Sequence, residues 1–300
     1  MNLSALPPTG LKLWLAGARL RTLPAAIVPV AVGAAVAVGH GSDTEWWRAG
    51  VALVVALALQ IAVNFANDYS DGVRGTDGSE RVGPLRLVGS GLAAPAAVKR
   101  AATLSFVVAA IAGTVLAVVV GPELFIVGAA SLVAGWTYTG GPRPYGYLGL
   151  GEVFVFVFFG VVATVGTTYV LIETISAVSL AASVSVGLWA TALLVINNLR
   201  DIPGDTISGK QTLAVRIGEK RTRITYVLMQ ESALTAAVVL TVFSDRWAVA
   251  ALVGVPFVTR GIRAVAGGAS GEDLIAVLGL TGKAQLICGL AMATGIALSG

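Results

Sequence analysis

The sequence predicts an all-α, polytopic membrane protein built as a bundle of about nine transmembrane helices. Three observations carry this. Charged residues make up 12% of the 300 positions, where a soluble domain has roughly 25%. Hydrophobic residues make up 56% and mean hydropathy is +0.85. Finally, long apolar runs recur through the chain without the alternation of a strand, at lengths that cross about 30 Å of hydrocarbon as helix. A single integral-membrane domain over residues 1–300 is the expected organisation.

In chain order the predicted spans are 22–39, 49–66, 101–120, 122–139, 151–171, 177–196, 224–243, 247–265 and 280–299. The fourth is short, and the eighth carries Arg260 and Arg263 near its end. Glycine, 37 residues in all, suits helices that pack closely through small side chains. Orientation follows from the cations. With nine spans, every Lys and Arg except Arg48 and Arg246 falls on one side, so the positive-inside rule puts the N-terminus in the cytoplasm and the C-terminus outside. This sorting also argues against nucleic acid as the partner, despite a net charge of +4 and a pI near 9.4, because the charge does not gather into one basic face. The partner is the lipid bilayer. No removable signal peptide is read at the start of the chain. Cys288 is the one cysteine and excludes an internal disulfide, and the lone His40 reads as a loop residue. Trp46 and Trp47 read as interfacial belt residues.

Against this apolar background, five of the aspartates gather in two clusters. The first runs from Asn64 through Asn67, Asp68 and Asp71 to Arg74 and Asp77. The second runs through Asn197, Asn198, Arg200, Asp201 and Asp205 to Lys210. Both fall at the cytoplasmic ends of predicted spans, four crossings apart. Asn64, Asp68 and Asp71 sit at i, i+4 and i+7, on one helical face. Asn198, Asp201 and Asp205 share a face only if the helix continues through Pro203 and Gly204, which are expected to end or loosen it. Carboxylates at membrane-helix ends are costly unless neutralised, and Mg²⁺ bridging to a diphosphate neutralises them. The expected ligands are Asp68, Asp71, Asp201 and Asp205, with Lys210, Arg74 and Arg200 as direct phosphate contacts. Asn67 either orients Asp68 or caps the helix, and Asp77 is either a ligand or an ordinary loop residue. The alternative for the whole set is helix capping and pairing with nearby arginines.

These motifs, with Arg19, Thr22 and Pro24 before them and Tyr138 to Pro142 and Gly149 to Glu152 between them, resemble the UbiA-type superfamily of intramembrane aromatic prenyltransferases. The five residues between Asp71 and Asp77, and the run from Arg81 through Arg86, make the chain similar to the 1,4-dihydroxy-2-naphthoate prenyltransferases of menaquinone synthesis. Leu20 departs from the pattern, standing where relatives usually have proline. The resemblance implies a helix bundle around a central cavity open to lipid and a Mg²⁺-dependent transfer of a polyprenyl group from its diphosphate to the naphthoate, with loss of CO₂, giving demethylmenaquinone. It implies a cytoplasmic active site in which Asp68, Asp71, Asp201, Asp205, Lys210 and Tyr138 act, and Asn64, Asn67, Arg74, Asp77, Arg143, Asn198 and Arg200 bind substrate. Arg143 is placed to pair the aromatic carboxylate or to anchor topology. Tyr138 and Tyr69 face the carbocation or the membrane interface. Glu152 pairs with Arg143 or acts as a base. Competing readings are transfer to another aromatic acid such as 4-hydroxybenzoate, a cation-coupled transporter, whose charges belong nearer the midplane, and a CDP-alcohol phosphotransferase, whose signature Asp68, Asp71 and Gly72 begin but do not complete.

Overall fold

The structure, a computed structural model, describes residues 8–39, 44–76, 83, 85–244 and 246–300. Asp77, Arg81 and His40 lie outside them. Among the described residues the secondary structure is entirely helical. Helices α1 (Gly10–Ala18) and α2 (Pro24–Ala37) meet at a 53° bend. Next come α3 (Trp47–Arg74), α4 (Pro95–Val119), α5 (Glu123–Thr137) and α6 (Gly151–Ile172). The chain ends with α7 (Ala177–Ile207), α8 (Leu213–Ser244), α9 (Ala248–Ala266) and α10 (Asp273–Leu298).

Seven of these helices are long and apolar enough to cross a membrane, and the bent α1–α2 pair makes an eighth. The predicted span at 122–139 is the 15-residue α5, about 22 Å as helix and shorter than the other spans, yet it runs from Glu123 at one end of the bundle to Tyr138 at the end that carries the acidic groups. It is bounded by Pro122 and by the turn that follows Tyr138.

α2 occupies the centre, with Val28, Val32 and Val36 fully buried, and packs against α3, α6, α7 and α10. It needs no polar face because no side of it meets water. α6 carries a π-helical segment at Phe156–Val162. There Gly160 sits against Gly187 of α7, so close that an added Cβ would lie 2.5 Å from the Gly187 Cα. Any larger residue would push the two helices apart. The second half of the bundle closes around Trp189, Ala233, Val258, Cys288 and Met292, all essentially inaccessible.

Helix α7 settles the question raised by Pro203. It continues to Ile207, through both Pro203 and Gly204, so Asn198, Asp201 and Asp205 do share a face. The proline lies in the last turns, where the carbonyls ahead of it are close to losing their partners in any case. The C-terminal ends of α3 and α7 emerge at the same end of the bundle, where the segments 85–94, 138–150 and 208–212 close over them. The other end is held by polar contacts of its own: Arg48 to Glu173 at 2.8 Å, Tyr169 to Glu123, and Arg246 to the Ile296 carbonyl. Trp46 and Trp47 are about half exposed there.

Candidate active site

Three of the groups expected in the site turn instead to building its walls. The break between α1 and α2 leaves the Ala18 carbonyl without a helical partner. Asn64 donates its amide to that carbonyl at 2.9 Å and to the Thr22 hydroxyl at 3.0 Å, with Gln60 reinforcing Thr22. Asn64 is thus committed to the helix break rather than to a ligand. Asp68 is fully buried, and its two carboxylate oxygens accept the backbone N–H groups of Leu87 (2.8 Å) and Val88 (3.0 Å). These bonds make the carboxylate an anchor for the segment after α3. Arg74 donates to the carbonyls of Thr139 and Gly141, both at 2.6 Å, and lies over the Tyr147 ring. Its guanidinium ties the end of α3 to the turn after α5 and is not presented to a phosphate.

The anchoring by Asp68 has a consequence one residue earlier. It fixes Leu87, and with it the neighbouring Arg86, whose guanidinium donates to Asn67 Oδ1 at 2.6 Å and lies 3.8 Å from Asp71. Asn67 also accepts from Arg19 at 3.5 Å. Asp71, about 1% exposed, receives the Tyr147 hydroxyl and stands 3.2 Å from Lys210 Nζ. Lys210 in turn lies 3.7 Å from Asp205. A single ammonium therefore joins one carboxylate from each motif. Burial pulls the Lys210 amine toward neutrality, but the Asp71 and Asp205 carboxylates outweigh it and hold its pKa above the usual lysine value. The Tyr147 ring lies under the same ammonium at 4.6 Å, and burial together with Asp71 raises its phenol pKa.

In the second motif, Arg200 folds back on its own helix. It pairs with both oxygens of Asp201 at 2.8 Å and with Asn197 at 2.7 Å, and its side chain is almost wholly buried. It steadies Asp201 and does not reach outward. Asn198 donates to Glu152 at 3.0 Å. This displaces the expected pairing of Glu152 with Arg143, which is exposed on the turn before Tyr145. Thr212 reaches Asp205 at 3.4 Å. Asn67, Arg86, Tyr138, Thr139, Tyr147, Asn197, Asn198, Asp201, Asp205, Lys210 and Thr212 line one polar pocket.

Tyr138 borders a second space. An apolar cavity of about 360 Å³ runs between α2, α3, α4, α5 and α6, and Tyr138 lines both it and the polar pocket. The tyrosine is seated by Gly146, where an added Cβ would fall 2.6 Å from the Tyr138 carbonyl oxygen and 2.8 Å from the ring. From Tyr138 an aromatic row continues along the cavity through Tyr145 (5.5 Å between centroids), Phe154 (3.9 Å) and Phe158 (6.0 Å). Tyr69 does not belong to this row; it lies beneath Lys99 among the packing of α3.

Arg86, Tyr147, Thr139 and Thr212 are site residues that the spacing argument does not single out. Arg86, Thr139 and Thr212 were legible only as parts of stretches that carry a sequence resemblance, and Tyr147 carries no local signal, since a turn brings it in. As to a metal, no three carboxylates, histidines or cysteines come together as a ready-made cage among the described residues. The donors present are nonetheless all hard oxygens: Asp71, Asp201, Asp205 and the amides of Asn67 and Asn197. Asp71 and Asp205 already share a cation in Lys210. That set suits Mg²⁺, which takes one or two carboxylates and completes its shell with phosphate oxygens and water.

Comparison with known proteins locates this architecture. The UbiA prenyltransferase family model matches residues 26–272. The chain is 48% identical over 287 residues to the 1,4-dihydroxy-2-naphthoate octaprenyltransferase of Mycobacterium tuberculosis, covering 95% of this chain and 96% of that protein. It is 36% identical to the Escherichia coli protein of the same name, covering 95% of each. A UbiA homologue from Archaeoglobus fulgidus, solved with GPP and Mg²⁺ bound, shares the fold with a TM-score of 0.63 at 13% identity, over 94% of this chain and 99% of that one.

Proposed function

The chain belongs to the UbiA prenyltransferase family, and on that footing we propose that it transfers a polyprenyl group from polyprenyl diphosphate to 1,4-dihydroxy-2-naphthoate, releasing diphosphate and CO₂, in menaquinone biosynthesis. The names of its relatives supply the acceptor. The observation that carries the reading is the continuity at Tyr138. On one side lies a pocket with cations and carboxylates for a diphosphate; on the other lies an apolar cavity for an isoprenoid tail.

Asp71, Asp201 and Asp205 would hold Mg²⁺, with Asn67 as a further oxygen donor. Mg²⁺, when bound, neutralises diphosphate oxygens and so makes diphosphate a better leaving group. Lys210 and Arg86 bind the diphosphate directly, and Lys210 exchanges its contacts with Asp71 and Asp205 for phosphate oxygens. As the allylic C–O bond breaks, its electron pair leaves with the diphosphate, where these two cations stabilise the added charge. The Tyr138 ring, at the junction of the two spaces, faces the allylic carbon and stabilises its positive charge. The ring carbon bearing the carboxylate attacks, forming the new C–C bond. Loss of CO₂ returns the bonding pair to the ring and restores aromaticity. No electron acceptor enters the step, so the immediate product is the dihydroxy form of demethylmenaquinone. Asp68 and Asn64 support the site through the loop and the helix break they hold. The active site faces the cytoplasm and the C-terminus lies outside, as the one-sided distribution of Lys and Arg supports.

The test is prenyl transfer by purified protein with Mg²⁺, a polyprenyl diphosphate and the naphthoate, read by product mass. A prenylated, decarboxylated product that disappears on chelation is expected. Product with 4-hydroxybenzoate only would overturn the acceptor and keep the reaction class.

A further inference from the structure

The buried Glu152–Asn198 pair has no part in the diphosphate chemistry above. Glu152 is 6% exposed and stands in the first turn of α6, where unpaired backbone N–H groups favour a negative side chain. Its Oε1 takes the Asn198 side-chain N–H at 3.0 Å. A carboxylate only accepts, so it dictates which way the amide turns: nitrogen toward Glu152, carbonyl away from it. Asn198 lines the polar pocket, and among the described residues no donor reaches its carbonyl oxygen. On the wall of the same pocket the hydroxyl of Thr139, a residue only 2% exposed, is buried with no hydrogen-bond partner among the described residues.

We propose that Glu152 is a positioning residue that locks the Asn198 carbonyl toward the pocket, where it accepts a hydrogen bond from a ring hydroxyl of the aromatic acceptor. The inference rests on the prenyl-transfer reading above and assigns the group that recognises its second substrate. The chemistry is selective. A neutral carbonyl acceptor suits a hydroxyl donor and repels a carboxylate or phosphate, which have no proton to offer at neutral pH. Drawing on the O–H also enriches the ring in electrons, which favours its attack on the allylic carbon.

In the variant Glu152→Gln the partner can both donate and accept, so the Asn198 amide loses its fixed sense. KM for the naphthoate is expected to rise roughly fivefold to tenfold, the worth of one hydrogen bond. KM for the prenyl diphosphate and the Mg²⁺ dependence should stay where they were, and Glu152→Asp should recover part of the loss. Competition by the two mono-O-methyl ethers of the naphthoate sharpens the test. One of them should bind less well than the parent to the unaltered protein, and that gap should close in Glu152→Gln. The proposal is overturned if the gap survives the substitution, or if the loss appears in the diphosphate KM or the Mg²⁺ requirement, which would make Asn198 part of the metal site. Equilibrium binding of the naphthoate reads the same contrast without turnover. A protein that binds the naphthoate through this pair yet never prenylates it would overturn the reaction and uphold the inference.

Discussion

The two aspartate motifs look alike as sequence and serve differently as structure. In the motif on α3, Asn64 and Asp68 are spent on the helix break and on the Leu87–Val88 backbone, leaving Asp71 as the carboxylate that meets Lys210. In the motif on α7, Asp201 and Asp205 both line the pocket, and the flanking Arg200 and Asn198 are held by Asp201 and Glu152. The first motif is followed by the segment 85–94, which Asp68 pins through Leu87 and Val88; the second ends in a short turn already close to Lys210. A shared face is therefore only the start of a shared role. A carboxylate with unpaired backbone N–H groups within reach satisfies them, because a buried unsatisfied donor costs about 1–3 kcal/mol.

The largest effect separating the motifs is expected at their common point. Asp71→Asn or Asp205→Asn should lower kcat/KM by about a hundredfold or more, with the fold kept, as steady-state rates and a melting curve in detergent will show. Equal rates in both variants and the parent would end the idea that Lys210 marks the diphosphate site. Lys210→Gln comes next, with roughly a tenfold to hundredfold rise in KM for the prenyl diphosphate and little change for the acceptor. Asp68→Asn tests the difference itself. It should destabilise the protein by about 2 kcal/mol through the lost charge-assisted bonds to Leu87 and Val88, while the Mg²⁺ concentration for half activity stays unchanged. A large shift in that concentration would return Asp68 to the metal. The smallest effect is at Arg143→Ala, for which the naphthoate KM should stay within about twofold of the parent, since the side chain is exposed and Glu152 is paired elsewhere.

Much of this site was readable before any coordinates. The face formed by Asn64, Asp68 and Asp71 follows from helical spacing, and Lys210 from its place in the second cluster, whereas the shared face of Asn198, Asp201 and Asp205 waited on α7 continuing through Pro203 and Gly204. Tyr147 was not readable, because it enters from a turn whose path depends on Arg74 grasping the Thr139 and Gly141 carbonyls. Arg86 was not readable as a site residue either, since it is placed by Asp68 acting 18 residues away along the chain.

The sequence by itself determined the class of the molecule: helices in lipid, since backbone groups there must pair within their own segment. It also determined which end of the bundle carries the acidic groups, because both clusters sit at the ends of apolar runs separated by an even number of crossings. Tertiary structure alone decided which acidic group faces the pocket, which arginine is bound up in the scaffold, and that Tyr138 stands where the polar pocket meets the apolar cavity. Those outcomes turn on competition among buried donors and acceptors from distant segments, and a linear pattern records the competitors but not the distances that decide between them.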